Sequence, residues 1–370
     1  MKNLKAIIND VGIFSRKIII REGFPFTCIT EPTNVYDAIV VKPQNAQSFI
    51  PNYPNRCNVT YTIEEYVRFI NKYHLEKAFI IADDISFLEQ CPSLKYLKIV
   101  PSNTARDNFD FSPLENLPAV KFLNCETKYG FNFSNSSSVD YSNIKGIEAV
   151  HLVGDGHTNS NLITTMKSCN ISESPKKFLL DVINGTNLDY LTLFQNKFKS
   201  LEGIETFKKL SYLKLSYNRF LGDLSNLEFL GNSLKELHIE NCPKIKDFSF
   251  LEKLDNLEVL TIYGNNSLPN LDFIKKLKSL RCFAFNVIVE NGDLSPCLNI
   301  EHVYSAIDKK HYNLKTKNCQ NLIKKLNALK WKNGEYSKVE KCGGSNAYDN
   351  LIKVTPWEHA SIDPFRHFVP

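Results

Sequence analysis

The sequence predicts an α/β solenoid, with a curved parallel β-sheet on its concave face and short helices or 3-10 turns on its convex face. Three observations predict it. The stretch LDYLTLFQNKF, Leu188 to Phe198, is spelled almost the same as LSYLKLSYNRF, Leu210 to Phe220. Stretches of the same design follow as LKELHIENC from Leu234, LEVLTIYGN from Leu257 and LRCFAFNVI from Leu280, and the five starts are separated by 22, 24, 23 and 23 residues. A fixed period of this length marks stacked units, none of which can bury its own apolar face alone. At 370 residues the chain also exceeds one compact core, which leaves two domains or one elongated array.

Each unit follows the pattern LxxLxLxxN/C. Its central apolar residues alternate as on a short strand with one buried face: Leu191 and Leu193, Leu213 and Leu215, Leu237 and Ile239, Leu260 and Ile262. The ninth position holds Asn196, Asn218, Cys242 and Asn265, where the chain leaves the strand and its backbone groups need side-chain partners. A second apolar segment, as in SLEGIETFKKL, FSFLEKLDNL and LDFIKKLKSL, predicts the short helical or 3-10 turns. In LSYLKLSYNRF this assigns Leu210, Leu213, Leu215, Asn218 and Phe220 to the scaffold and leaves Ser211, Tyr212, Lys214, Ser216 and Tyr217 free.

This pattern resembles the leucine-rich repeat family, and its wording is similar to the internalin-like and phosphatase-regulatory-subunit-like classes. The resemblance implies a curved solenoid and a binding role; it transfers no partner.

From the N-terminus onward, residues 1–74 are expected to form a cap or small β-rich region. Stretches such as RKIII, FTCIT and DAIVV suggest strands, and Thr62-x-x-Glu65 opens an amphipathic helix with a capping box. Residues 75–308 are expected to be the solenoid, regular over 188–285 and irregular over 75–187. Looser units start at Leu75, Leu94, Val120 and Ile147, and IEHVYS from Ile300 is expected to be the last strand, giving nine or ten units. The Ser/Asn-rich stretch 130–143 is expected to be a loop, and 154–187 to hold an extra helix or a degenerate unit. Residues 309–370 are expected to be a basic helix and tail that cap the array. Ten lysines against Glu335 and Glu340 give residues 309–341 a charge of +8, more than the +5 of the whole chain. There NLIKKLNALKW places Leu322, Leu326 and Leu329 on one helical face with lysines opposite.

Chemistry is harder to find. The sequence contains no GxxxxGK, GxGxxG, HExxH or GxSxG. The ten cysteines have no paired metal-ligand spacing, and His359, Asp363 and His367 match no ligand motif. His151 and His238 occupy equivalent strand positions separated by intervening strands, too far apart to share a metal ion. No catalytic, cofactor-binding or metal-binding residue is therefore assigned, and no cofactor is expected. The N-terminus lacks a continuous apolar leader core, so the expected compartment is the cytoplasm, with reduced thiols.

Binding is favoured because the fold dictates a free strand face, and aromatic residues are heavily represented on it. The expected protein-binding residues are Tyr190, Phe194, Tyr212, Lys214, Tyr217, Glu236, His238, Glu240 and Tyr263. The sequence thus points to a non-catalytic protein–protein interaction module with an unknown protein partner; nucleic acid and membrane are not the expected partners. Two alternatives remain open: an enzyme or effector whose active part is the N- or C-terminal segment, and membrane or nucleic-acid association through lysine-rich 309–341.

Overall fold

The computed structural model describes residues 17–28, 36–43, 46, 61–102, 105, 109–118, 120–125, 127, 137–300, 302–305 and 307–315. The expected basic helix over NLIKKLNALKW, the tail beyond it and the first half of the Ser/Asn-rich stretch 130–143 lie outside them. The chain divides into two compact units, one running to Ser174 and one starting at Pro175.

The first unit begins with a hairpin, β1 (Lys17–Arg21) against β2 (Phe24–Cys28). Its two-residue turn takes positive φ at both Glu22 and Gly23, the conformation that matches the twist of paired strands. Strand β3 (Tyr36–Val41) pairs antiparallel with β2 and parallel with β4 (Lys77–Ala82), so the sheet changes from hairpin to parallel array at β3. Between them runs α1 (Ile63–Tyr73), whose capping box is formed as its sequence spells it: the Thr62 hydroxyl accepts from the Glu65 backbone N–H and the Glu65 carboxylate accepts from that of Thr62. The helix buries Tyr66, Val67, Phe69 and Ile70, and the Phe69 ring stacks on Phe24 of the hairpin at 3.8 Å.

The array continues with β5 (Tyr96–Pro101), β6 (Phe122–Cys125), β8 (Ala149–Val153) and β10 (Ser168–Ser172), all parallel and in register. The insertion around β8 adds a small parallel pair, β7 (Val139–Asp140) with β9 (His157–Thr158). Strand β10 resolves the expected extra helix or degenerate unit over 154–187: a complete unit starts at Met166, with Cys169 and Ile171 in the two strand-leucine places, all buried. Met and Cys fill those places because each is apolar and small or flexible enough for a close-packed row.

The second unit is the regular block: β11 (Tyr190–Phe194), β12 (Tyr212–Ser216), β13 (Glu236–Glu240), β14 (Val259–Leu268), β15 (Cys282–Val289) and β16 (His302–Ser305), each parallel to the next. Counting β3 and β10 with the ten starts read from the sequence, and leaving the β7–β9 pair aside, the described residues hold twelve strands of the parallel array, six per unit. In both units 3-10 turns follow the strands and supply the second apolar wall.

Two devices recur at fixed places in the units. The residue directly after a strand adopts the left-handed conformation at Gly154, Glu173, Gln195, Tyr217 and Asn241, and Gly264, at the corresponding place inside the longer β14, also has positive φ. Its N–H still joins the ladder, as from Gln195 to the Ser216 carbonyl, Tyr217 to Glu240 and Asn241 to Tyr263. The second device precedes the 3-10 turn or, at Asp140, the bend after β7: Asp84, Asp110, Asp140, Asp223, Asp247, Asn270 and Asp293 each accept, at 2.8 to 3.2 Å, from the backbone N–H two residues on. The residue between is apolar and buried every time: Ile85, Phe111, Tyr141, Leu224, Phe248, Leu271 and Leu294. These Asx turns fix the corner while the middle side chain anchors it in the core.

The expected ladder is present at Asn218 and Cys242. Asn218 accepts from the Asn196 N–H at 2.9 Å and donates to the carbonyls of Leu193 and Ser216. The thiol of Cys242, in the same place one unit on, donates to the carbonyls of Leu215 and Glu240. In the next unit the Asn266 amide donates to the carbonyls of Cys242 and Ile245, beside a register shift in β14 between Tyr263 and Ser267. The side chain of Asn265, expected in the ladder, lies outside the described residues. A correction concerns Phe220, expected in the scaffold by analogy with Phe198. Phe198 is fully buried, but Phe220 stands 47% exposed and Leu221 occupies the core, because this unit spends one more residue between its amide and its buried anchor.

Candidate functional site

Parallel, in-register pairing sets the geometry of the strand face in the second unit. Residues at one register position stand side by side across strands about 4.8 Å apart, so three rows form. The first is Tyr190, Tyr212, Glu236 and Val259; the second Thr192, Lys214, His238 and Thr261; the third Phe194, Ser216, Glu240 and Tyr263.

The first two rows lock together. The rings of Tyr190 and Tyr212 stack with centroids 4.2 Å apart and planes 11° from parallel, and Tyr212 leans on the His238 ring at 5.1 Å. His238 is hydrogen-bonded through Nδ1 to the Thr261 hydroxyl at 2.8 Å and through Nε2 to the Glu236 carboxylate at 3.3 Å. The Thr192 hydroxyl donates to the Tyr190 phenol oxygen at 3.3 Å. These side chains were expected on a solvated sheet; Tyr190, Tyr212, Glu236 and His238 are instead 8, 2, 3 and 2% exposed. In-register rings lie flat over their neighbours, and the buried Glu236 and His238 satisfy one another, so the centre of the face is packed.

The third row apart from the buried Ser216, Lys214 of the second row and the turn beyond remain accessible. Phe194, Lys214, Glu240 and Tyr263 are half-buried, and Tyr217 is 38% exposed. Phe194 meets Tyr217 edge-on at 5.7 Å, Ser216 donates to the Glu240 carboxylate, and the Lys214 ammonium lies 3.8 Å from the same carboxylate. Tyr217 holds its ring there from a left-handed backbone (φ 56°) that an aromatic residue rarely adopts. The nine expected binding residues therefore divide by height: four close the centre, and five line the strand-exit side.

The first unit carries a polar row on its strand face, of which the sequence reading missed only the member on β10. Lys98, Asn124, His151 and Asn170 share one register position on β5, β6, β8 and β10, and all are buried. His151 is hydrogen-bonded to the Asn124 amide and to the Ser172 hydroxyl, each at 3.0 Å. Burial, followed by the charge of Lys98 and that of His157, pushes its pKa down to about 3. Asn170 was hidden because it lies in the unit that spells its core with Met166 and Cys169. Elsewhere in this unit an open cleft of about 490 Å³ has Phe26, Ile39 and Phe69 in its walls and Glu22, His74 and Lys77 among its lining residues. Among the described residues, no group of three His, Cys, Asp or Glu side chains is placed to hold a metal ion, and no helix is long and apolar enough to cross a membrane.

The regular block is also where comparison with known families succeeds: residues 232–276, spanning β13, the turn after it and β14, match the family model described as leucine-rich repeats in two copies. These are leucine-rich repeats. The strand, left-handed exit, Asx turn and 3-10 wall described above are thus the parts of a leucine-rich repeat as this chain builds it. Among solved structures, the repeats are similar to an internalin from Listeria monocytogenes, at 20% identity and a TM-score of 0.41 over 63% of this chain and 74% of that one. They are also similar to a leucine-rich repeat protein from Leptospira interrogans, at 16% identity and a TM-score of 0.45 over 66% of this chain and 64% of that one. No curated protein sequence matches the chain.

Proposed function

We propose that this chain is a non-catalytic module that binds another protein on the strand face of its second unit, in the cytoplasm. The leucine-rich repeat fold itself suggests protein–protein interaction, since it holds a row of side chains on a rigid sheet. The observation that carries the finer reading is the two-level aromatic face. Its closed Tyr190–Tyr212–His238 stack supports an open row of Phe194, Tyr217, Lys214, Glu240 and Tyr263. A packed centre fixes the rotamers of what stands beside it, so a partner meets an ordered surface and little side-chain entropy is lost on binding.

Support for the absence of catalysis is chemical. Burial raises the Cys91 and Cys242 thiols to about 11 and pushes Cys169 higher still, so these thiols are protonated near neutrality and are poor nucleophiles. The six described free cysteines are all buried, which suits a reducing compartment.

The test is capture of partners from the native cell by the wild-type chain and by Phe194→Ser with Tyr217→Ser, side chains outside the packed stack. The double variant should stay folded by circular dichroism and lose the captured protein by at least about tenfold. Equal recovery by both chains would refute the assignment of this face.

A further inference from the structure

The strand-exit loops of β11, β12 and β13 combine exposed aromatic rings with uncompensated positive charge. Segments 195–199, 217–222 and 241–246 contain Lys197, Lys199, Arg219, Lys244 and Lys246 and no carboxylate. All five cations are exposed. None forms an ion pair with a described residue, whereas at the strand entries of the first unit Lys95 pairs with Glu76, and both Lys121 and Lys167 with Glu148. The acids that flank these segments are engaged elsewhere: Asp223 and Asp247 accept from the N–H groups of Ser225 and Ser249, and Glu240 accepts from the Ser216 hydroxyl and faces Lys214 at 3.8 Å. The 3-10 wall of these repeats carries both signs instead, with Glu202, Glu205, Glu228 and Glu252 beside Lys208, Lys209 and Lys253.

The three loops form one surface. The Gly222 N–H donates to the Lys199 carbonyl at 3.1 Å, and Gly222 in turn lies against the Lys244 backbone and stem. The Lys244 ammonium sits 5.6 Å from the centre of the exposed Phe220 ring, and Tyr217 stands on the same loop as Phe220. Strands about 4.8 Å apart place these cations within roughly one Debye length of one another at physiological salt, so their potentials add. Phe220 sharpens the point: Leu221 fills the core, and Phe220 is left outside as a large apolar ring beneath a cation.

From this charge complementarity we infer that the strand-exit loops are a docking surface for an acidic protein segment, whose carboxylates meet Lys199, Arg219 and Lys244 and whose apolar side chain seats on Phe220 and Tyr217. The inference rests on the protein-binding reading above and adds the place and chemistry of the partner. Arg219 can hold a carboxylate with two parallel hydrogen bonds, and desolvated aromatic neighbours strengthen such contacts.

The experiment measures binding of a short fluorescent peptide repeating Glu-Glu-Leu-Tyr to the full chain, beside a Lys-Lys-Leu-Tyr peptide, a single-stranded oligonucleotide and vesicles of anionic lipid. The acidic peptide should bind at least about tenfold more tightly than the basic one and weaken as salt rises. Lys199→Glu with Arg219→Glu and Lys244→Glu should abolish that preference. The charge-matched control Lys208→Glu with Lys253→Glu and Lys276→Glu, on the 3-10 side, should keep it, and Phe220→Ser should weaken binding at every salt concentration. Equal binding of the two peptides, or equal loss in the control, overturns the inference. Tighter binding of the oligonucleotide or vesicles through the same cations overturns the protein partner. Failure here with continued capture that depends on Phe194 and Tyr217 overturns the acidic partner alone; failure of both overturns the protein-binding reading as well.

Discussion

His151 is enclosed between Asn124 and Ser172, and His157 is tied to Tyr141 and to the Val153 backbone. Burial lowers the two histidines to about 3 and about 4, from about 6.5 in an unfolded chain. Below pH 6.5 the unfolded chain therefore binds protons that the folded one refuses, and stability falls as pH falls from there toward 4. Each histidine contributes a slope of up to about 1.4 kcal/mol per pH unit. Urea midpoints should drop between pH 7 and 5, and His151→Gln should flatten that slope; an unchanged slope in both His151→Gln and His157→Gln would contradict the placement. Phe220 and Leu221 give a second test at this scale. Leu221→Ala should cost about 2–5 kcal/mol of unfolding free energy by denaturant titration, and Phe220→Ala less than about 1 kcal/mol. The pairing of Phe198 with Phe220 misleads in the sequence because identical spelling hides one added residue, and only the burial of Leu221 shows which side chain the core accepts.

The repeating strands were legible because their leucines alternate with period two and recur with period about 23. The Asx turns were equally present, as Asp-Phe-Ser at 110 and 247 and Asp-Leu-Ser at 223 and 293, but a search on leucines passes over a motif whose middle residue varies. The left-handed exits were not legible, since Glu, Gln, Tyr, Asn and Gly all fill that place and the neighbouring ladder imposes the conformation. Two substitutions test the device. Gly264→Ala places a Cβ about 3.0 Å from the Asn241 backbone at φ 127°, and should destabilise the chain by about 1–3 kcal/mol. Tyr217→Gly removes left-handed strain and one ring contact, so thermal stability should stay within about 1 kcal/mol while partner binding falls.

For the molecule as a whole, a modest net charge of +5 conceals local separation: in the second unit, the strand exits of β11 to β13 carry cations without carboxylates, whereas the 3-10 wall mixes both signs, as at Glu252 with Lys253 and Asp272 with Lys275. The binding face was partly legible, because register alone places Phe194, Lys214, Glu240 and Tyr263 in view. The closing of Tyr190, Tyr212, Glu236 and His238 was not, since it depends on rings stacking across strands and on a Glu–His–Thr contact between separate repeats. The central claim, that a protein is recognised on the strand face of the second unit, is tested most directly by photo-crosslinking in the native cell. A photoreactive residue would replace Tyr217 or Glu240 on that face, or Glu228 or Glu252 on the 3-10 wall, all outside the buried core. Adducts with one protein from positions 217 and 240, and none from 228 and 252, are the predicted result; equal yields from the two sides, or adducts from the 3-10 wall alone, would contradict it.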